Sequence, residues 1–181
     1  MNKLASKSDQ KYPILIGNAV ILQPLQESYI QDYLLAFSPL VRQALHVMSP
    51  ESERAYLIES IVQMREGKTY FYLIVNQVEQ KVIGAIAIRD PQVYPGQLYS
   101  WVNEHYWGKG YYQEALKLMT SFYFEQTGAF FISAQVDISN IRSYKALKKA
   151  GWADKGISKG PFGMQYDLIL RNKGTKIFSR K

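Results

Sequence analysis

The run Val102-Asn103-Glu104-His105-Tyr106-Trp107-Gly108-Lys109-Gly110-Tyr111-Tyr112 joins an apolar, strand-like segment directly to an amphipathic helical one. Glycines at 108 and 110 let the backbone turn tightly and aim several N–H groups at one point. The N-terminus of the following helix adds its partial positive charge there, so the natural guest is a diphosphate. A dinucleotide-binding fingerprint would place a third glycine at 113, where Gln113 stands. Further along, Asn140-Ile141-Arg142-Ser143-Tyr144-Lys145-Ala146-Leu147-Lys148-Lys149-Ala150-Gly151-Trp152 reads as a short helix capped by Asn140 and ended by Gly151. Ser143 carries a hydroxyl that could protonate a leaving group, and it is equally a polar residue of a capped first turn.

Other chemistry-bearing patterns fail on their context. Gly67-Lys68-Thr69 resembles the end of a phosphate loop, but Val62 stands where the first glycine belongs, and the helix precedes the strand. Gly156-Ile157-Ser158-Lys159-Gly160 spells a nucleophile elbow, yet Pro161 follows and both histidines, His46 and His105, come earlier in the chain. That segment reads as a surface turn. Two histidines and no cysteine give no metal site, and the absence of cysteine excludes disulfides and thiolate nucleophiles.

These motifs need elements to hold them. A strand is expected at Val20–Pro24 and a helix over 27–36. A second helix is marked by Ser49 as N-cap, Pro50 at its first position and Gly67 beyond its end, with Leu57, Ile58, Ile61 and Met64 as its apolar stripe. Segments 69–75 and 81–89 read as a hairpin, 90–96 as a proline-bearing loop and 97–102 as a third strand. A helix over 111–125, a strand over 130–136, a helix over 141–150 and a strand over 164–170 follow. The expected fold class is α+β: a mixed, mostly antiparallel sheet with helices on both faces.

Together, 102–112 and 140–152 resemble the GNAT superfamily of acetyl-CoA-dependent N-acetyltransferases. The first segment is similar to its pyrophosphate loop, Q/R-x-x-G-x-G/A, and the second to its Asn…Gly-aromatic helix. Tyr106-Trp107-Gly108-Lys109-Gly110-Tyr111 and Asn140-x-x-Ser143 look most like the RimJ/RimL branch, which acetylates ribosomal-protein N-termini. The resemblance implies acetyl-CoA as cosubstrate and an amine as acceptor, either a protein N-terminus or a small molecule. Main-chain groups around Trp101 and Val102 would pair with the pantetheine arm. The loop of Trp107, Gly108, Lys109, Gly110, Tyr111 and Tyr112 would cradle the pyrophosphate. Asn140 would touch the pantetheine, and Ser143 would stand beside the sulfur as the catalytic residue. Charge alone adds Arg142 and Lys145, with Lys149, as partners of the nucleotide phosphates. A homodimer is among the assemblies such families form.

The sequence departs from the family pattern at four places. Trp107 replaces the usual Gln or Arg, and Tyr112 replaces the last Gly or Ala, where its bulk is expected to crowd the phosphate site. Leu147 stands where relatives often carry a Tyr that serves as general acid, and Gln97 where many carry a Glu base. The base candidates that remain are Asp90, Glu104, His105 and Asp154.

The chain of 181 residues suits one domain, and its formal charge of +7 sits in its ends. Without 1–11 and 171–181, 14 basic residues face 14 acidic ones, so the body is neutral. Three parts are expected: a basic, poorly ordered leader over 1–18, an acyl-CoA N-acetyltransferase domain over 19–171 and a basic tail over 172–181. No stretch is apolar enough to span a membrane, and the reading is cytoplasmic. Two alternatives stand beside the enzyme: a CoA-binding sensor or scaffold without strong catalysis, and a ribosome or nucleic-acid binder acting through the tails.

Overall fold

Residues 12–89 and 96–174 are described in a computed structural model of the chain. The elements run β1 (Leu15–Ile16), β2 (Val20–Pro24), a 3-10 turn (Glu27–Tyr29), α1 (Ile30–Ala36), α2 (Pro39–Ala44) and α3 (Pro50–Glu66). They continue with β3 (Thr69–Asn76), β4 (Lys81–Arg89), β5 (Gly96–Val102), a 3-10 turn (Glu104–Tyr106), α4 (Tyr111–Thr127), β6 (Phe131–Asp137), α5 (Ile141–Lys149), β7 (Ala153–Gly160) and β8 (Gly163–Arg171). The expected leader is described only from Tyr12, and within it Leu15–Ile16 pairs with β2. Asp90 and most of its loop, and the tail from 175, lie outside the described residues.

All strands join one sheet in the order β1-β2-β3-β4-β5-β6-β8-β7, antiparallel except between β5 and β6. This is the mixed, mostly antiparallel α+β sheet expected. Its central strands are buried on both faces, which explains their near-continuous apolar runs. On β3, Tyr70, Tyr72 and Ile74 join the core under α4, while Phe71 and Leu73 join the core under α1 and α3. On β4, Ile86 and Ile88 face α4, whereas small Ala85 and Ala87 face the other way and let α1 pack close to the strand.

The long helix α3 is bounded as its sequence dictates. Ser49 and Ser52 form a reciprocal cap, Pro50 opens the first turn, and Gly67 at φ 77° ends it. Its buried face is Glu53, Leu57, Ser60, Ile61 and Met64; Ile58, expected in the stripe, is largely exposed.

Three elements escape the sequence reading: β1, α2 and β7. The expected turn over 156–160 is instead part of β7, an edge strand held by its antiparallel ladder to β8. A bulge between Asp154 and Gly156, with Gly156 at φ 115°, bends the strand so that this glycine-rich stretch can pair.

Candidate active site

The site begins where the sheet comes apart. Parallel strands β5 and β6 pair only at Gly96–Ile132 and Gln97–Ser133, and beyond that they splay. On its other side β5 stays paired with β4, and the Asn103 N–H donates to the Ile83 carbonyl at 2.8 Å. An antiparallel ladder alternates inward and outward main-chain groups. The backbone N–H and C=O of Ser100 and Val102 therefore face the open side, while those of Trp101 turn to β4. The Val102 carbonyl already accepts from the Trp107 indole Nε1 at 2.6 Å.

The glycine loop closes one end of this opening. Gly108 and Gly110 take φ 75° and 87°, and a Cβ on either would meet nothing within 4 Å. Their glycine identity thus answers to backbone conformation rather than to crowding. Gly110 is the N-cap of α4 and offers no side chain to the helix end. Consequently the N–H groups of residues 108–112 donate to no described protein acceptor, and the helix end keeps its partial positive charge.

Across the opening stands α5. The Asn140 side chain accepts from the Ser143 N–H at 3.1 Å, so it caps the helix and lines the cleft at once. The Ser143 hydroxyl makes no hydrogen bond among the described residues. The Arg142 guanidinium lies over the Trp107 ring, where partial burial lowers its pKa and the charge of Glu104 offsets this.

A cleft of about 390 Å³ unites these parts. Trp101, Val102, Trp107, Gly108, Gly110, Tyr112, Asn140, Arg142, Ser143 and Lys145 all line it, whereas Lys109 and Tyr111 do not. Tyr111 packs on Tyr106 instead, and the Lys109 ammonium sits 5.5 Å from the centre of that same ring. Several lining residues were not anticipated: an apolar wall of Leu40, Val41 and Ala44 from α2 with Leu45 just beyond it, and Ser100, Tyr106, Gln113 and Ala146. The signal for α2 was present, because Ser38 before Pro39 is a cap followed by a first-turn proline, and Ser38 does accept from the Val41 N–H.

Tyr112, whose bulk stands beside the glycine loop, lines the cleft. Its hydroxyl reaches Ser100 Oγ at 2.8 Å, and burial pushes its pKa up to about 12. Leu147 is fully buried in the core and Gln97 donates to Gln135 Oε1, so neither offers a titrating group. Of the base candidates described, Glu104, His105 and Asp154 all stay outside the cleft lining. Glu104 accepts from Ser38 Oγ at 2.6 Å, which lowers its pKa; Asp154 accepts from Tyr144 Oη at 2.6 Å, with the same effect.

Comparison with known proteins adds to this geometry. The family model described as "Acetyltransferase (GNAT) domain" matches residues 19–153. No curated protein matches the chain by sequence. Among solved structures, RimL, a ribosomal L7/L12 α-N-protein acetyltransferase in complex with coenzyme A, is 16% identical with a TM-score of 0.75, over 88% of this chain and 98% of its own. The ribosomal-protein-S5-alanine acetyltransferase from Vibrio fischeri is 17% identical with a TM-score of 0.76, over 91% and 99%. The microcin C7 self-immunity acetyltransferase MccE, in complex with acetyl-CoA and AMP, is 13% identical with a TM-score of 0.74, over 86% and 94%. At these identities the likeness is one of fold.

Proposed function

Since the chain belongs to the acetyltransferase (GNAT) family and is thus an enzyme of N-acetyl transfer, we propose that it moves the acetyl group of acetyl-CoA to the primary amine of a polypeptide N-terminus. The observation that carries this reading is the row of undonated N–H groups at 108–112, set at the mouth of a cleft that continues along a free strand edge. The first part suits a diphosphate, and the second suits an amide-bearing arm that adds to the sheet as a strand would.

Each side chain then has a task. The N–H groups of residues 108–112 hold the pyrophosphate. The outward main-chain groups of Ser100 and the Val102 N–H pair with pantetheine, and Asn140 touches the same arm. Arg142 and Lys145 face the nucleotide phosphates. The amine nitrogen attacks the thioester carbon; a C–N bond forms, the C–S bond breaks, and sulfur keeps the electron pair. Ser143 supplies its hydroxyl proton to that sulfur and regains one from solvent. No carboxylate or imidazole among the described residues lines the cleft, so the surplus proton of the amine leaves through water.

A polypeptide acceptor is supported by the apolar α2 wall and by the two ribosomal-protein acetyltransferases of like fold. Such an acceptor fits a cytoplasmic enzyme. A CoA-binding scaffold is the second reading, favoured by the buried Leu147 and the amide at Gln97. Coenzyme A release separates the two: turnover with N-terminal peptides exceeding that with small amines supports the enzyme. Saturable acetyl-CoA binding without turnover on any amine leaves the scaffold, and no acetyl-CoA binding overturns both.

A further inference from the structure

Glu53 on α3 is 3% exposed and is the only charged side chain in the core among the described residues. Its Oε1 accepts from the Tyr33 hydroxyl at 2.5 Å. Tyr33 Oη in turn accepts from the Trp101 indole Nε1 at 3.0 Å and lies 3.3 Å from the Tyr99 hydroxyl. An indole N–H only donates, so the Tyr33 oxygen accepts from it; an ionised Glu53 only accepts, so Tyr33 passes its own proton to that carboxylate. Ring packing reinforces the arrangement, since Tyr33 and Phe37 each meet Trp101 edge-on with centroids 5.0 Å away.

Trp101 sits on β5 between Ser100 and Val102, the residues whose outward main-chain groups face the cleft. We propose that Glu53 is a positioning residue: through Tyr33 it locks the Trp101 indole and so fixes the strand edge on which the acyl carrier lies. The inference rests on the assignment of that edge to acetyl-CoA. A carboxylate can hold this chain where an alkyl group cannot, because removing it strands a buried hydroxyl donor.

The test combines an indole signal with a double-mutant cycle in the full-length protein. Without ligand, the Trp101 indole N–H resonance is expected to persist in Glu53→Gln, which keeps an oxygen for Tyr33. It is expected to move and to exchange rapidly in Glu53→Leu and in Tyr33→Phe. Acetyl-CoA binding should weaken about tenfold in Glu53→Leu, and Glu53→Leu combined with Trp101→Phe should bind no worse than Trp101→Phe alone. Additive losses in the double variant overturn the proposal, as does an unmoved indole signal in Glu53→Leu. Tyr33→Phe keeps the test alive if Glu53→Leu fails to fold. A wild type that binds no acetyl-CoA overturns the functional assignment instead, and the ligand-free indole signal still decides whether Glu53 positions Trp101.

Discussion

Replacing Gly110 by alanine tests the diphosphate site with an internal control on the same helix. Gly110 begins α4 at φ 87° and Gly128 ends it at φ 65°, and a Cβ at either position meets nothing within 4 Å. Neither substitution produces a clash, so each should cost only the left-handed backbone strain of an L-residue, about 1–2 kcal/mol. For a chain of this size that lowers Tm by roughly 2–8 °C in both variants. They should part company over ligand. At Gly128 the strain lies far along the helix from the cleft, and acetyl-CoA affinity should be unchanged. At Gly110 the alanine relieves strain by rotating the peptide that aims the 108–112 N–H groups. Losing one hydrogen bond to a charged phosphate is worth about 1.5–3 kcal/mol, which corresponds to a roughly 10- to 150-fold rise in Kd. Titration calorimetry with acetyl-CoA, paired with melting curves, reads both quantities. Equal acetyl-CoA affinity in the Gly110→Ala and Gly128→Ala variants would refute the reasoning, because the glycine loop would then be an ordinary turn.

Other expectations follow from the same geometry. Ser143→Ala should lower kcat at least tenfold while leaving the Kd for acetyl-CoA unchanged, and a parallel rise in Kd would assign Ser143 to binding alone. Arg142→Ala should weaken acetyl-CoA binding and flatten its salt dependence, as seen by titrations at low and high ionic strength; an unaltered salt dependence removes Arg142 from the phosphates. Burial raises the Glu53 carboxyl, against the hydrogen bonds of Tyr33 and Tyr99 and the charge of Arg89, which lower it. A carboxyl raised in the folded state stabilises the fold below its unfolded value of 4.5 and loses that contribution as pH rises through the folded pKa. The Tm of Glu53→Gln should therefore gain on wild type between pH 4 and 7, and a difference independent of pH would contradict this. Burial also holds Tyr12 and Tyr112 at about 12 against an ordinary 10.0, so unfolded chains ionise first. Urea midpoints should then fall between pH 10 and 12, and a flat profile would count against burial of these hydroxyls.

The legible parts of the fold were those written in local chemistry. Ser49-Pro50 and Gly67 announce both ends of α3, and the glycines at 108 and 110 announce a turn whose φ values only glycine takes readily. The cleft was legible for the same reason, since its loop and the Asn140 cap are short-range motifs that act through backbone. Elements that depend on distant partners were not. In β7, two glycines and two lysines have poor strand propensity, and only the ladder to β8 makes them extended. Glu53 in the first turns of α3 reads as an exposed acid favourable to the helix dipole; burial follows from Tyr33 and Tyr99, which the tertiary fold brings to it. The partner of the Tyr112 hydroxyl was hidden for a similar reason: sequence gives the size of a side chain but not its direction, and the hydroxyl reaches Ser100.

A crystal structure of the complex with acetyl-CoA tests the central claim most directly. The diphosphate should lie within hydrogen-bond distance of the N–H groups at 108–112, with the thioester sulfur beside Ser143. A diphosphate bound elsewhere, with those N–H groups still facing solvent, would contradict the account.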